Sequence, residues 1–291
     1  MQKGRLVQMD YLIIFGICLL ATMKMSFQSS FAKKGVRTTS DSIFFISLIF
    51  AFSSLIFLPH IIYITPQILA YAVIYAVSSV AFQLIYTRAL SEGNVSIAVM
   101  FVNFAMLIPV AISCTVFGER PSVFRIIGIA LTVCAFLVTV KPEGNTTKRQ
   151  LFFCVLAMLA NGVVSATQKF FGASEYSDRN YTFVSTAYLI AAIISVAVYA
   201  ILAKSGHKRT FKMSRRPVLA ALAAGVSLGL FLALNTYAVS TIDGTLLFPA
   251  HSGGTIVLST VSGLLFFHDK LTVRQAASLV LGTVAIVLMS L

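Results

Sequence analysis

Ten apolar runs, each about as long as the roughly 20 residues a helix needs to cross a bilayer, decide most of what this chain can be. They fall at about 11–32, 42–63, 66–88, 94–117, 122–140, 150–172, 181–203, 217–240, 244–267 and 272–291, with Pro66 dividing the second from the third. The connections are short and leave no room for a soluble domain. Helices satisfy every backbone group within the segment, which makes a helical bundle the default over a barrel. The expected fold class is an all-α membrane protein with ten transmembrane helices. Composition agrees, since only 11% of the residues are charged and mean hydropathy is +0.92, whereas a soluble domain carries about 25% charge. The first run, "YLIIFGICLL", has no clear small-residue cleavage site after it and is expected to remain as a span. Cys18, Cys114, Cys134 and Cys154 all lie within spans, form no C-x-x-C pair, and read as packing residues.

A formal net charge of +13 can signal nucleic-acid binding. Here the basic residues are spread over loops beside the spans, so they report orientation and no nucleic-acid partner is expected. The odd-numbered loops carry Lys33, Lys34, Arg37, Arg88, Lys141, Lys148, Arg149, the basic run "KSGHKRTFKMSRRP" and Lys270. The opposite side carries Lys3, Arg5, Arg120, Lys169 and Arg179. The positive-inside rule then puts the odd-numbered loops in the cytoplasm and both termini outside.

The chain also repeats itself. "FGERPSVFRIIGIALTVCAFLVTV" and "FHDKLTVRQAASLVLGTVAIVLMS" start 150 residues apart, and in both an aromatic is followed by an acid, a base and a hydroxyl before an apolar helix. The acids are Glu119 and Asp269, the bases Arg120 and Lys270. "YTRALSEG" resembles "NTYAVSTIDG" in the same way, and "LLATMKMSFQSS" aligns with "MLANGVVSATQK". Residues 1–145 and 146–291 therefore read as two five-helix repeats. Five is odd, so the second half enters the membrane upside down relative to the first. Inverted repeats of this kind are typical of secondary transporters, which rock one repeat against the other around a midplane site.

The two halves, each ending near an acid in "GERPSVFRIIGIAL" or "HDKLTVRQAASLVLG", resemble the drug/metabolite transporter superfamily in its ten-helix EamA-type branch. The resemblance spans nearly the whole chain and rests on spacing. The second copy departs from it, with Asp269 where glutamate is usual and Ser278 where the first half has Gly128. It implies a carrier of small metabolites whose cavity is lined by helices 1–4 and 6–9, with helices 5 and 10 peripheral. It also implies cytoplasmic termini, opposite to the charge count.

Lys24 is the most informative residue within a span. It lies about 13 Å along a helix from Lys33, near the centre of a hydrocarbon core of about 30 Å. Exposing it to lipid there would cost on the order of 3 kcal/mol or more, so it must face a wet cavity, find a partner or be neutral. Gln28 follows one turn on, on the same face. Thr22, Ser26 and Ser29 form a neighbouring polar stripe, which the repeat matches to Asn161, Ser165 and Gln168 in helix 6. Two related helices facing one polar cavity is the simplest account. A lysine bonded to carbonyls for stability is the alternative. The other midspan polar residues are Gln83, Asn103, Asn235 and His251. His251 follows Pro249 and precedes Gly253-Gly254, a pattern that predicts a broken helix 9 near the midplane. A buried, hydrogen-bonded histidine and amides that only join helices are the alternatives. Glu119 and Asp269 are gate candidates, but pairing with Arg120 and Lys270 at the interface is the favoured expectation. "GVSLG" reads as a small-residue packing face.

Every Asp and Glu lies at a span end or in a loop. Exporters of organic cations commonly use a buried carboxylate, and the resemblance places one in the first helix of the small multidrug resistance relatives, where this chain has Lys24. The cavity therefore reads as positive or neutral. No Walker A, H-E-x-x-H or G-x-S-x-G motif occurs, so neither an enzyme nor an ATP-driven pump is expected. The expectation is a secondary active transporter of a small polar metabolite, an amino acid or other carboxylate or zwitterion, in a bacterial inner or plasma membrane. It needs no cofactor or metal, uses a proton or other coupling ion, and works as a monomer or homodimer. A drug or organic-cation exporter and a non-transporting membrane scaffold remain as alternatives.

Overall fold

The computed structural model describes residues 2–35, 38–60, 64–91, 95–139, 147–206, 215–266 and 273–289. Asp269, Lys270, Thr272, Lys141 and most of the basic run after helix 7 lie outside the described residues, as do the side chains of Gln28 and Ser29. The described residues form helices α1 (Gln2–Gly35), α2 (Thr39–Ile56), α3 (Pro66–Ser91), α4 (Val95–Phe104), α5 (Leu107–Thr115), α6 (Val123–Thr139), α7 (Lys148–Gly172), α8 (Asn180–Lys204), α9 (Arg215–Thr241), α10 (Gly244–Phe266) and α11 (Val273–Met289). Five candidate spans, within α1, α3, α7, α8 and α9, are long and apolar enough to cross a membrane by length and composition. Together α4 and α5 fill the fourth apolar run, so the eleven helices make ten rods where ten were expected.

The break falls in a different rod from the one expected. Helix α10 runs on through Pro249, whereas the fourth rod is interrupted at Ala105–Met106. Pro249, the sixth residue of its helix, removes one donor near the start, and the helix continues past it. Pro109 removes the donor that would reach Ala105, deeper in its rod. There the Ala105 carbonyl instead accepts from Ile108 N at 3.1 Å, and Ala105 N and Met106 N bond three residues back. The rod tightens to a 3₁₀ turn and divides.

Equivalent helices of the two halves meet head to tail. On α2 and α8 the ring pairs are Phe44 with Tyr199 at 5.0 Å, Phe50 with Tyr188 at 5.7 Å, and Phe57 with Tyr181 at 5.3 Å. As the first number rises the second falls, so the helices are antiparallel. Gly128, early in α6, faces Ala285 and Met289, late in α11. Ser113, late in α5, faces Gly244 at the start of α10. Three equivalent pairs thus run in opposite senses, as an inverted repeat requires. The remaining contacts follow the same exchange: α3 on α7 corresponds to α1 on α9, and α2 on α9 corresponds to α3 on α8, and all four occur. Ser278, the residue at the position of Gly128, is buried and small enough for the same close crossing.

Gly225 and Gly229 of "GVSLG" face α2, the packing role read from the sequence. Ser53 Oγ donates to the Gly225 carbonyl at 2.8 Å. A Cβ on Gly225 would stand 2.7 Å from Phe52 Cβ and 2.8 Å from the Ile49 carbonyl oxygen, so α2 and α9 would have to move apart. At Gly253 the nearest atom would be 3.6 Å away, an ordinary contact. Gly225→Ala is therefore expected to destabilise the protein by about 1–3 kcal/mol. Gly253→Ala should leave stability unchanged or raise it by up to about 1 kcal/mol, the helix-propensity gain. Thermal unfolding of the two variants in detergent checks the contrast.

Candidate substrate-binding site

Exposure along α1 separates its faces. Leu12, Phe15, Leu19, Met23 and Phe27 are exposed and form the outer stripe. The opposite series runs Ile14, Ile17, Ala21, Lys24, Gln28 by position, at the three- and four-residue steps of one helix face. Ile17 on that series is fully buried. Lys24, two turns deeper, is half-buried. Thr22 and Ser26 lie about 200° round the helix from Lys24. They turn toward α10, where Ser26 Oγ meets Ser262 Oγ at 3.3 Å, and Thr22 Oγ1 donates to the Cys18 carbonyl of its own helix at 2.8 Å.

This face division corrects the register of the repeat. The exposed stripe of α7 is Phe152, Val155, Leu159 and Val163. It matches Leu12, Phe15, Leu19 and Met23 one residue out of step with the alignment of Thr22, Ser26 and Ser29 to Asn161, Ser165 and Gln168. One residue on a helix is a turn of about 100°. In the corrected register Gln168 corresponds to Gln28, and the inward polar stripe of α7 faces the same way as Lys24.

On α7 the stripe continues inward as Cys154, Ala157, Asn161, Ser165, Gln168 and Gly172 by position. Asn161 Nδ2 donates to the Val102 carbonyl at 3.3 Å, just before the break between α4 and α5. Asn103 is half-exposed at the same break. Broken backbone at membrane depth is tolerated where it is buried in protein or lines a cavity. Gly172 touches Val239 on the parallel helix α9. One turn deeper on each helix are Gln168 and Asn235, on the touching faces. Both are buried, and Gln168 Nε2, Asn235 Oδ1 and the neighbouring Thr236 Oγ1 have no hydrogen-bond partner among the described residues. A turn below Asn235, Phe231 packs its ring on His251 of α10 at 5.4 Å. The His251 carbonyl accepts from Thr255 Oγ1 at 2.8 Å and from Cys18 Sγ at 3.5 Å.

The structure thus groups Gln168 with Asn235, and Asn161 with the end of α4. Ser165 is half-buried between these levels, without a hydrogen-bond partner among the described residues. Lys24 has no hydrogen-bond or ion-pair partner among the described residues either, and it lies deeper than the amides. Gln83 lies deeper too, because Tyr71 against Phe171 and Ala89 against Gln150 set α3 antiparallel to α7.

Packing differs between the two ends. Helices α1, α3 and α10 run in one direction, and each is tightly buried first and loose later. On α3, Ala72, Tyr75, Ala76, Ser79 and Val80 are buried, whereas all of 81–87 are part-exposed. Seven consecutive helical residues cover every side, so the inward side is part-exposed as well. On α10, burial at 246–250 gives way to part-exposure at 255–258. On α1, Met25 is 45% exposed beside Lys24. Along α1, α3 and α10 the bundle is tight toward the even-numbered loops, its closed end, and looser toward the odd-numbered ones, although the start of α2, with Ser40, Asp41, Phe45 and Ile46, is buried at that end as well.

A charge cluster that sequence reading missed joins the closed end. Glu119 lies between α5 and α6. It pairs with Lys169 of α7, not with the adjacent Arg120 expected from the sequence, and accepts from Thr245 N of α10 at 3.0 Å. The Lys169 ammonium also lies 5.2 Å from the Phe117 ring centre. Burial pushes the Glu119 carboxyl up, but the Lys169 ammonium and the Thr245 and Gly244 N–H groups outweigh it and hold it below its ordinary value. The acid was visible in "FGERP"; its partner, fifty residues on, carries no local signal. Arg125 adds an exposed bond to Asp243 at 2.8 Å.

Residues 12–141 match the EamA-like transporter family. This upholds the resemblance to the drug/metabolite transporter superfamily and supports an integral membrane transporter of that type. One solved structure, described as "Crystal structure of protein", covers 97% of this chain and 96% of its own at a TM-score of 0.77 and 14% identity. At that identity the likeness shows the fold alone, over nearly the whole chain. No curated protein matches the sequence.

Lys169→Met would strand the Glu119 carboxylate at a site where its side chain is only 12% exposed. A loss of about 3 kcal/mol is expected, because breaking one partner of a buried pair leaves the other uncompensated. Glu119→Gln combined with Lys169→Met should recover most of it. Because the carboxyl is held low in the fold, its stabilisation is present above the ordinary value of 4.5 and disappears as pH falls through the lowered one. Thermal unfolding from neutral to acid pH should show wild type losing this contribution only below pH 4.5, and the double variant lacking it throughout.

Proposed function

We propose that this EamA-like protein is a secondary active transporter that moves a small carboxylate or zwitterion, such as an amino acid, by alternating access. The observation that carries the reading is Lys24: half-buried on the inward face of α1, near midspan and with no partner among the described residues. An unpaired ammonium so placed favours an anionic group on the substrate. The amides Asn103, Asn161, Gln168 and Asn235, together with Gln28, Gln83, Ser165 and His251, supply neutral donors and acceptors for the rest of it. Absence of Asp and Glu from midspan positions in the sequence argues against a cation substrate.

Residues 1–145 and 146–291 act as the two rocking repeats in this reading, supported by the head-to-tail contacts of their equivalent helices. The lysine and arginine count places the odd-numbered loops in the cytoplasm and the termini outside. The open end then faces the cytoplasm. With no nucleotide-hydrolysis motif in the sequence, a proton or other ion gradient supplies uphill drive.

Thermal stabilisation of the purified protein by amino acids, organic anions, phosphorylated metabolites, nucleosides and organic cations tests the reading. Selective stabilisation by a carboxylate or zwitterion is expected, with at least about a ten-fold weaker apparent affinity in Lys24→Met, the equivalent of about 1.4 kcal/mol. Stabilisation by organic cations that survives Lys24→Met would overturn it and point to an exporter of cations.

A further inference from the structure

Six buried side-chain atoms lack a hydrogen-bond partner among the described residues: Ser113 Oγ, Gln168 Nε2, Asn180 Oδ1, Thr186 Oγ1, Asn235 Oδ1 and Thr236 Oγ1. All six lie in the closed half. Ser113 ends α5, Asn180 and Thr186 begin α8, and the other three lie near the ends of α7 and α9. Buried polar groups in folded proteins are almost always bonded, so a set left dry on one side calls for an explanation. A permanent packing surface has no use for them. A surface that is wet in another conformation does.

We propose that Gln168, Asn235 and Thr236 line a substrate path that opens toward the even-numbered loops, collapsed in this conformation and held shut by Glu119. The inference rests on the carrier reading and adds to it which residues form the closed half of the path and what locks them. Gln168 and Asn235 lie at one height on the parallel helices α7 and α9, one turn below the contact of Gly172 with Val239. Gln168 offers a free donor; Asn235 and Thr236 offer free oxygens. A zwitterion passing between α7 and α9 would find an N–H for its carboxylate and two oxygens for its ammonium. Helices α7 and α10 are tied together directly above this set. One carboxylate oxygen of Glu119 takes Lys169, the residue after Gln168, and the other takes the first turn of α10 at Thr245 N, 3.0 Å away. Glu119 comes from the other half of the chain, so the tie spans the two repeats. It is a positioning residue and touches no substrate in this scheme.

The test uses the full chain in membranes, with Cys18, Cys114, Cys134 and Cys154 replaced and a single Thr236→Cys introduced. A membrane-impermeant maleimide is applied from each side separately, with Ser122→Cys, exposed in the loop after α5, reporting which side is reached. The expected result is slow labelling of Thr236→Cys from the Ser122 side. The rate should rise at least about five-fold when Glu119→Gln and Lys169→Met are combined, because the closed population falls. Equal rates with and without the tie, or labelling only from the opposite side, would overturn the proposal. Hydrogen exchange of the cysteine-intact protein gives an independent readout: segments 165–172 and 232–240 should exchange faster in the double variant, and unchanged protection counts against the proposal. Neither readout needs transport. Unaltered labelling with Lys24-dependent stabilisation intact removes the collapsed path and leaves the carrier reading. The reverse outcome removes the carboxylate substrate and leaves the path.

Discussion

Lipid cannot bond to a peptide group, and the whole architecture depends on that constraint. Each segment must be a helix that satisfies its own backbone, so association is left to close packing and to the polar side chains that remain. In this chain close packing falls on the pairs that the repeat relates. Gly128 and Ser278 bring α6 against α11, and Gly225 and Gly229 bring α9 against α2. Because related helices run in opposite senses, each half presents to the other a surface of its own kind turned over. The contact of α3 with α7 recurs as that of α1 with α9 without either being encoded separately.

Polar residues on the inward faces of α1, α3, α7 and α9 differ by end. On the closed side they are buried, some without a hydrogen-bond partner among the described residues, and a buried ion pair joins loop, α7 and α10. On the open side Lys24, Gln83 and Ser262 stay part-exposed, while Ser40, Asp41 and Gln150 at the starts of α2 and α7 are buried. Burying an ion pair gains little net stability, since desolvation offsets most of the attraction. Its value lies in geometry: Glu119 holds Lys169 and the start of α10 at one spacing, and loss of either contact leaves a charge in a poor environment. An arrangement of that sort favours an all-or-none change over gradual loosening.

Much of the fold was legible because its signals are periodic. Ten apolar runs, the acid-base-hydroxyl punctuation and "GVSLG" each depend on spacing within a few residues, and ten rods, an antiparallel repeat and a glycine crossing follow from them. What failed to show depends on phase or on distance along the chain. The polar stripes of α1 and α7 were recognisable as stripes, but a one-residue error in aligning them rotates every side chain by about 100°. It paired Thr22 and Ser26, which turn to α10, with Asn161 and Ser165. Pro249 points to a break in the wrong rod, because it removes a donor near a helix start while Pro109 removes one in mid-rod. Lys169 looked like a loop charge near a span end, since nothing local marks it as the partner of Glu119.

The topology is nearly two-fold and the packing is not. Two repeats related by inversion present similar surfaces at both ends, so a state closed at one end has a counterpart closed at the other. Whatever separates the two in free energy must come from residues that break the repeat. Lys24 corresponds to no ionisable residue in α7, and Lys169 to none at the matching point of α1. Both departures are lysines, one partnered at the closed end and one without a partner among the described residues nearer the open end. A small difference of this kind is what a two-state carrier requires, since a ligand can redistribute the states only by its own difference in affinity for them. Under the proposed function, the Lys24 ammonium, with no partner among the described residues, and the paired Lys169 are two parts of the same device: the first would give an anionic ligand a reason to enter, and the second would set how firmly the far end stays shut while it does.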